Sequence, residues 1–224
     1  MKKCFDKHVY IFSGLGADDR VFQKMDLSAF STQFVSWIKP IGNEAIEAYA
    51  SRISKQIESA APILIGLSFG GIIAIEVAKQ INTSKVILLA SVKTKTDIPF
   101  YYRVAGRIRL HKLLPIKFVK RTNFITNWLF GAKNAADRQI LKEVMRDTDP
   151  DFLKWAIDKL VRWNNKERLP NIFHIHGTRD RLFPEMFLQA DYNVEGGGHL
   201  MTLTDAHKVD LIVRRQISRG QNCT

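Results

Sequence analysis

The sequence predicts an α/β fold: a mostly parallel sheet of about six strands, helices on both of its faces, and a helical cap insertion. Three observations predict it. Short apolar runs alternate with helix-patterned segments along most of the 224 residues. Most of those runs are continuously apolar, as strands covered on both faces are. One interval, residues 93–168, breaks the alternation and holds no clear strand. Residues 1–92 and 169–224 are therefore expected to form the core, with 93–168 as the insertion.

The elements follow in order. Val9-Tyr10-Ile11-Phe12 is a first strand, ending at Ser13-Gly14-Leu15-Gly16. Residues Gln33–Ile38 form a second, stopped by Pro40 and Gly42. Residues Ala45–Ser59 carry Ile46, Tyr49, Ala50, Ile53 and Ile57 at helical spacing. Ile63-Leu64-Ile65 leads into Gly66-Leu67-Ser68-Phe69-Gly70-Gly71, followed by a helix over Ile72–Gln80. Lys85–Ala90 is a fourth strand. In the insertion, amphipathic helices are expected around Tyr101–Leu113, Ile116–Phe130, Ala135–Met145 and Pro150–Trp163. The last starts at Asp149-Pro150-Asp151, with an acceptor at the cap and proline in the first turn. Asn171–His176 is a fifth strand and Ala190–Val194 a weaker sixth. A closing helix over Thr204–Arg219 turns Leu211, Ile212 and Ile217 inward.

Composition narrows the function classes. Hydrophobic residues make up 46% and charged residues 25%, which suits a folded soluble chain. No apolar run approaches the roughly 20 residues needed to span a bilayer. The N-terminus is basic, but Asp6, Lys7 and His8 interrupt any signal-peptide core, so a cytoplasmic protein is expected. Two cysteines, Cys4 and Cys223, read as free thiols. Net charge is +12 and uneven. Residues 93–121 hold nine Lys/Arg (Lys93, Lys95, Arg103, Arg107, Arg109, Lys112, Lys117, Lys120, Arg121) against Asp97, a surplus of 9 − 1 = +8. Such a cluster either attracts an anionic partner or is a solvated face.

Ser68 draws attention because a buried strand turning sharply into a helix presents its turn residue at the tip. Only small neighbours clear that turn, which accounts for Gly66 and Gly70. A serine hydroxyl needs a base, and the base needs an orienting acid. Later strand ends supply both: Asp180 in His176-Gly177-Thr178-Arg179-Asp180, and His199 in Glu195-Gly196-Gly197-Gly198-His199, where the glycine run implies a flexible, unobstructed loop. The order Ser68, Asp180, His199 suits a parallel sheet. Charge developing on a substrate oxygen also needs donors. The Phe69 N–H, next to the nucleophile, is one candidate and the Leu15 N–H the other. Gly14 and Gly16 let the backbone approach a substrate.

These residues resemble the α/β-hydrolase superfamily, from Ser13-Gly14-Leu15-Gly16 through Gly66–Gly71 and His176–Asp180 to Gly198-His199. The resemblance covers nearly the whole chain and looks closest to small capped bacterial carboxylesterases and thioesterases. It implies a serine hydrolase acting on an ester or thioester, with the active site between cap and sheet and no cofactor. Two features depart from the pattern. There is no room before Val9 for the usual opening antiparallel strands, and Ser13 stands where a histidine usually supports the oxyanion loop.

Other candidates are weaker. His176 could compete as base, and His174, two residues earlier on the same strand face, reads as packed in the sheet. His8, His111 and His207 have no acid partner at useful spacing. No His/Asp/Glu cluster has metal-ligand spacing, so a metal centre is not expected. The glycines match neither a dinucleotide nor a phosphate-loop fingerprint. Aromatics mixed with basic residues over 100–130 read as a cap whose apolar side lines an acyl pocket, against the alternative of a surface for nucleic acid or an anionic membrane. Nucleic acid is not the expected partner. The surplus charge suggests that the acyl group arrives on an acidic carrier, such as coenzyme A or an acyl carrier protein. Acyl transfer or lyase chemistry on the same residues, or a binding protein that keeps the fold, remain the alternatives.

Overall fold

The computed structural model describes residues 8–15, 17–113, 115–116 and 120–218. Cys4, Gly16, Lys117, Phe118 and Cys223 lie outside the described residues. Six strands, β1 (His8–Phe12), β2 (Ser31–Phe34), β3 (Ile63–Leu67), β4 (Lys85–Leu89), β5 (Ile172–Gly177) and β6 (Tyr192–Val194), form one sheet in the order β2-β1-β3-β4-β5-β6. Every pairing is parallel.

The two-residue strand period sorts the apolar side chains. Tyr10, Phe12, Leu64, Val86 and Leu88 face one layer, where α1 (Ile46–Ile53) and α2 (Phe69–Ala78) cover them. Val9, Ile11, Ile63, Ile65, Ile87 and Leu89 face the other, covered by α8 (Ala206–Ser218) through Val209, Val213 and Ile217. The helix α2 is buried all round, from Phe69 to Val77, so it serves as core as much as cover. Edge strand β2 is exposed along its whole length, and its polar Ser31, Thr32 and Gln33 suit that place.

The interval 93–168 holds α3 (Phe100–Arg107), α4 (Phe124–Phe130), α5 (Ala135–Asp147) and α6 (Pro150–Arg162), with no strand among its described residues. Asn123, Asn134 and Asp149 cap the last three by accepting from first-turn amides. Phe152 and Trp155 seat α6 on the core, with ring centres 6.3 and 6.0 Å from Phe69.

Several boundaries differ from expectation. The second strand ends at Phe34: the Val35 amide still donates to the Ile11 carbonyl of β1 at 2.9 Å, and Ser36–Ile38 then turn toward other partners, with the Ser36 amide, the Trp37 indole and the Ile38 backbone bonded outside the sheet. The helix expected over 45–59 stops at Ile53 and continues as a 3-10 turn. The helix expected over 101–113 breaks where Arg109 takes φ 57°. The closing helix splits at Asp205 into α7 (Met201–Thr204) and α8. On α8, Leu211 is 56% exposed, not inward, and Val209 and Val213 take the core positions with Ile217. No helix among the described residues is long and apolar enough to cross a membrane.

Candidate active site

The strand order reverses between β1 and β3, and the crevice outside such a reversal is where open α/β sheets bind ligands. Ser68 lies there, between β3 and α2, with φ 53° and ψ −121°. That conformation costs free energy in a residue with a side chain. It is held from both sides: the Ser68 N–H donates to the Leu89 carbonyl at 2.9 Å, and the Ser91 hydroxyl donates to the Ser68 carbonyl at 2.7 Å. A Cβ on Gly70 would strike the Phe12 and Ser13 carbonyls, and one on Gly66 would come within 2.6 Å of the Gly70 carbonyl. Only glycine allows this turn to pack against β1.

Ser68, Asp180 and His199 meet although the chain separates them widely. His199 Nε2 is 2.8 Å from Ser68 Oγ, and His199 Nδ1 is 2.7 Å from Asp180 Oδ2. All three are buried. The other Asp180 oxygen accepts from the Leu182 and Phe183 amides at 2.8 and 3.0 Å. Burial pushes the Asp180 carboxyl up, but the His199 charge and hydrogen bond, His176 and the Phe183 amide outweigh it and hold it below the usual carboxylate value. With Asp180 ionised, Nδ1 carries the proton and Nε2 is free to accept from Ser68.

The loop carrying His199 differs from expectation. The Gly197 amide donates to the Val194 carbonyl at 3.0 Å and the Gly197 carbonyl accepts from the Arg179 amide at 2.8 Å. The Gly196 amide donates to Thr178 Oγ1 at 2.9 Å. The glycines permit close packing here rather than slack: a Cβ on Gly177 would strike the Gly197 carbonyl. From the other side, the Leu200 amide donates to the Phe130 carbonyl at 3.0 Å, and the Phe130 ring centre lies 5.6 Å from that of His199.

A cavity of about 390 Å³ opens over Ser68 and His199. Gly14 and Leu15 border it on the sheet side. The helical interval supplies most of the rest, through Tyr102, Leu129, Phe130, Met145, Leu153 and Val161 among others. The lining is almost wholly apolar, and burial there raises the Tyr102 phenol to about 12. Such a site accommodates an aliphatic or aromatic group with one reactive polar atom at its floor. A larger opening of about 640 Å³ lies away from Ser68, around Lys39, His111 and Asp158.

Two contributors to the site, Trp37 and Ser91, were not expected. Trp37 donates its indole N–H to Ser13 Oγ at 3.1 Å and to the Ala17 carbonyl at 3.0 Å, while the Ser13 hydroxyl also donates to the Ala17 carbonyl. Together they brace the turn that presents Gly14 and Leu15. Ser91 braces the nucleophile turn, as above. His176, weighed above as a competing base, bonds elsewhere: it donates Nε2–H to the Phe183 carbonyl at 2.8 Å, and stands 3.7 Å from Asp180 Oδ2. His174 is fully buried, with neither ring nitrogen in a well-formed hydrogen bond and only a weak interaction with the Ser91 backbone, its ring centre 5.1 Å from that of His176. His111, expected to lack an acid, pairs with Asp158 at 2.9 Å, a partner 47 residues away that no local spacing could indicate.

A sequence profile described as the alpha/beta hydrolase family matches residues 8–210. Comparison with curated proteins finds no match. Among solved structures, the chain is similar to a thermophilic esterase from Thermogutta terrifontis, with TM-score 0.69 and 14% identity over 95% of this chain and 90% of that one. It is also similar to the enol-lactonase from Burkholderia xenovorans LB400, with TM-score 0.67 and 14% identity over 97% and 94%. A hydrolase from Oleispira antarctica gives TM-score 0.65 and 15% identity over 95% and 91%. At such identities these likenesses establish the fold.

Proposed function

The chain belongs to the alpha/beta hydrolase family, and from that premise we propose that it is a serine hydrolase cleaving a carboxylic ester or thioester through an acyl-enzyme on Ser68. The observation that carries this reading is the relay from Ser68 Oγ through His199 to Asp180, at 2.8 and 2.7 Å, on the floor of an apolar cavity.

Ser68 Oγ attacks the acyl carbonyl as His199 Nε2 takes its proton. The Leu15 and Phe69 N–H groups receive the oxyanion, and Phe69 opens α2, whose N-terminal end favours negative charge. The imidazolium passes its proton to the leaving oxygen or sulfur, which departs and leaves the acyl group on Ser68. A water then loses a proton to His199 and attacks the acyl-serine, releasing the acid and restoring the hydroxyl. Asp180 keeps Nδ1 protonated and stabilises the transient cation. The helices of residues 93–168 act as a cap, and their apolar side chains select the acyl group.

A second reading takes the acyl group from an acidic carrier, coenzyme A or an acyl carrier protein. What favours it is the surplus of +8 over residues 93–121, part of which is carried on α3 beside the cavity. Comparing kcat/KM for carrier-bound and simple short-chain esters across a salt series tests it; no carrier advantage, or no salt dependence, discards it.

The test of the main reading is covalent. A fluorophosphonate probe should label the native protein, and Ser68→Ala should abolish labelling. An unlabelled native protein would favour a binding module that keeps the fold. Product analysis with and without an acceptor alcohol separates hydrolysis from acyl transfer or lyase chemistry.

A further inference from the structure

The helices that wall the cavity turn a second face outward. On α3, Tyr102 lines the cavity and Gly106 lies against Val161 of α6, while Phe100, Val104 and Ile108 are each more than half exposed beside Arg103 and Arg107. On α4, Thr126, Leu129 and Phe130 face the cavity, while Phe124, Ile125 and Trp128 stand out, Phe124 at 83% exposure. Large apolar side chains clustered on the outward side of each helix, rather than scattered singly, mark an interaction surface.

The charge carried by the two helices and the chain that joins them has one sign. Between Asp97 and Asp137 the chain holds eight Lys/Arg (Arg103, Arg107, Arg109, Lys112, Lys117, Lys120, Arg121, Lys133) and no acid. Beside α4 a groove of about 350 Å³ is lined by Lys133, Arg138, Arg179 and Arg181 with no carboxylate among its lining residues. Asp205 approaches Lys133 from outside that lining, at 2.9 Å. The segment after Asp180 joins the two helices. The Arg181 guanidinium lies 4.4 Å over the Trp128 ring, and Phe187 sits 6.3 Å from Phe100 and 6.0 Å from Tyr101.

We propose that this face docks on the surface of an anionic lipid bilayer, with the apolar side chains entering the headgroup–acyl boundary and the guanidinium and ammonium groups meeting lipid phosphates. Charge alone would fit a nucleic acid, an acidic protein or a membrane. Val104, Ile108 and Ile125, half of the six exposed apolar side chains, are aliphatic and offer no flat surface on which a base stacks, and the Arg181 guanidinium covers a face of the Trp128 ring. An acidic protein partner needs interdigitated packing around buried anchors, and these side chains project from convex helices. A bilayer takes protruding apolar groups and dispersed positive charge together. Resting on the proposed hydrolase reading, the consequence is a substrate class: esters dissolved in the membrane, delivered to a cavity whose walls are the backs of the docking helices.

Vesicle co-sedimentation of the full chain tests the docking without using activity. The chain should bind vesicles of phosphatidylcholine mixed with phosphatidylglycerol, should ignore phosphatidylcholine alone, and should release in high salt. Arg107→Gln and Arg179→Gln should each weaken binding about fivefold. Phe124→Ser combined with Ile125→Ser should weaken it about tenfold or more. Circular dichroism melts confirm that each variant folds, and the salt release of the native chain stands without any variant. Ser68→Ala should bind as the native chain does, so a failed hydrolase reading leaves this result intact. Equal binding to neutral vesicles, no binding at all, or binding to an acidic carrier protein with none to vesicles would each overturn the proposal.

Discussion

The buried pair His174 and His176 should make this protein lose stability in mild acid. Burial lowers both imidazoles below their ordinary value of 6.5, His174 the further, and each ring's charge would oppose the other across 5.1 Å. For His176, Asp180 and the Phe183 carbonyl act in the opposite direction without reversing it. In the unfolded chain both rings take up protons as pH falls below about 6.5, whereas the native rings stay neutral. The unfolded state then binds more protons, so unfolding becomes easier as pH drops. Each such proton contributes about 1.4 kcal/mol per pH unit, and the pair approaches twice that. Against a domain stability of about 5–15 kcal/mol, one pH unit is a large fraction. The contribution of Asp180, whose carboxyl is held below 3.8, is intact throughout this window and is lost only at lower pH. His174→Phe isolates the effect, because neither His174 nitrogen makes a well-formed hydrogen bond and the ring's interaction with the Ser91 backbone is the weakest influence on it. Urea unfolding from pH 7.5 to 5.5 should show the variant losing about 1.4 kcal/mol less stability across the window than the native chain, most of it below pH 6.5, with the other histidines cancelling in the difference. At neutral pH the variant should be no less stable, since a buried N–H without a well-formed hydrogen bond is removed. Identical slopes for the two proteins would refute the reasoning.

Further outcomes follow from the same geometry. Ser68→Ala should lower kcat by about 10^6, and Asp180→Asn, which leaves the imidazole in the wrong tautomer, by about 10^4, both read with an activated ester. Trp37→Phe deletes the donor shared by Ser13 and Ala17; it should cost about 1–3 kcal/mol of stability in a urea melt and lower kcat more than it raises KM. Gly70→Ala should fail to give soluble, labelled protein, because its methyl group meets the Phe12 and Ser13 carbonyls rather than a side chain that can move. Met145→Trp, which narrows the cavity, should shift preference toward shorter acyl chains in a series of nitrophenyl esters.

What the sequence made readable is what local pattern and strand ends encode. The run Ile63–Ile65 before Gly66-Leu67-Ser68 announces a buried strand and a tight turn, and the strand-end positions of Asp180 and His199 need only the parallel topology to converge. Contacts set by tertiary packing were not readable. Nothing near Trp37 in sequence says that its indole will reach Ser13 and Ala17, 24 and 20 residues away. That reach also explains why the second strand ends four residues early. His111 finds Asp158 for the same reason, through helices that pack together. The glycines at 196–198 signal permissiveness, but only coordinates distinguish slack from close packing, and here packing wins. Leu211 lies outward because the inward stripe of α8 runs through Val209, Val213 and Ile217 at four-residue spacing, and Leu211, two residues from Val209, falls on the opposite side.

The bond from the Leu200 amide to the Phe130 carbonyl joins the residue after His199 to the end of α4. Gly131 and Gly198 press together beside it, so close that a methyl group on Gly131 would sit 3.2 Å from the Gly198 Cα. Lifting α4 to admit a bulky guest must therefore tug on the backbone that aims the imidazole. On the proposed mechanism the imidazole is aimed only while α4 is seated, so the fit of the guest under that helix and the readiness of Ser68 are one adjustment.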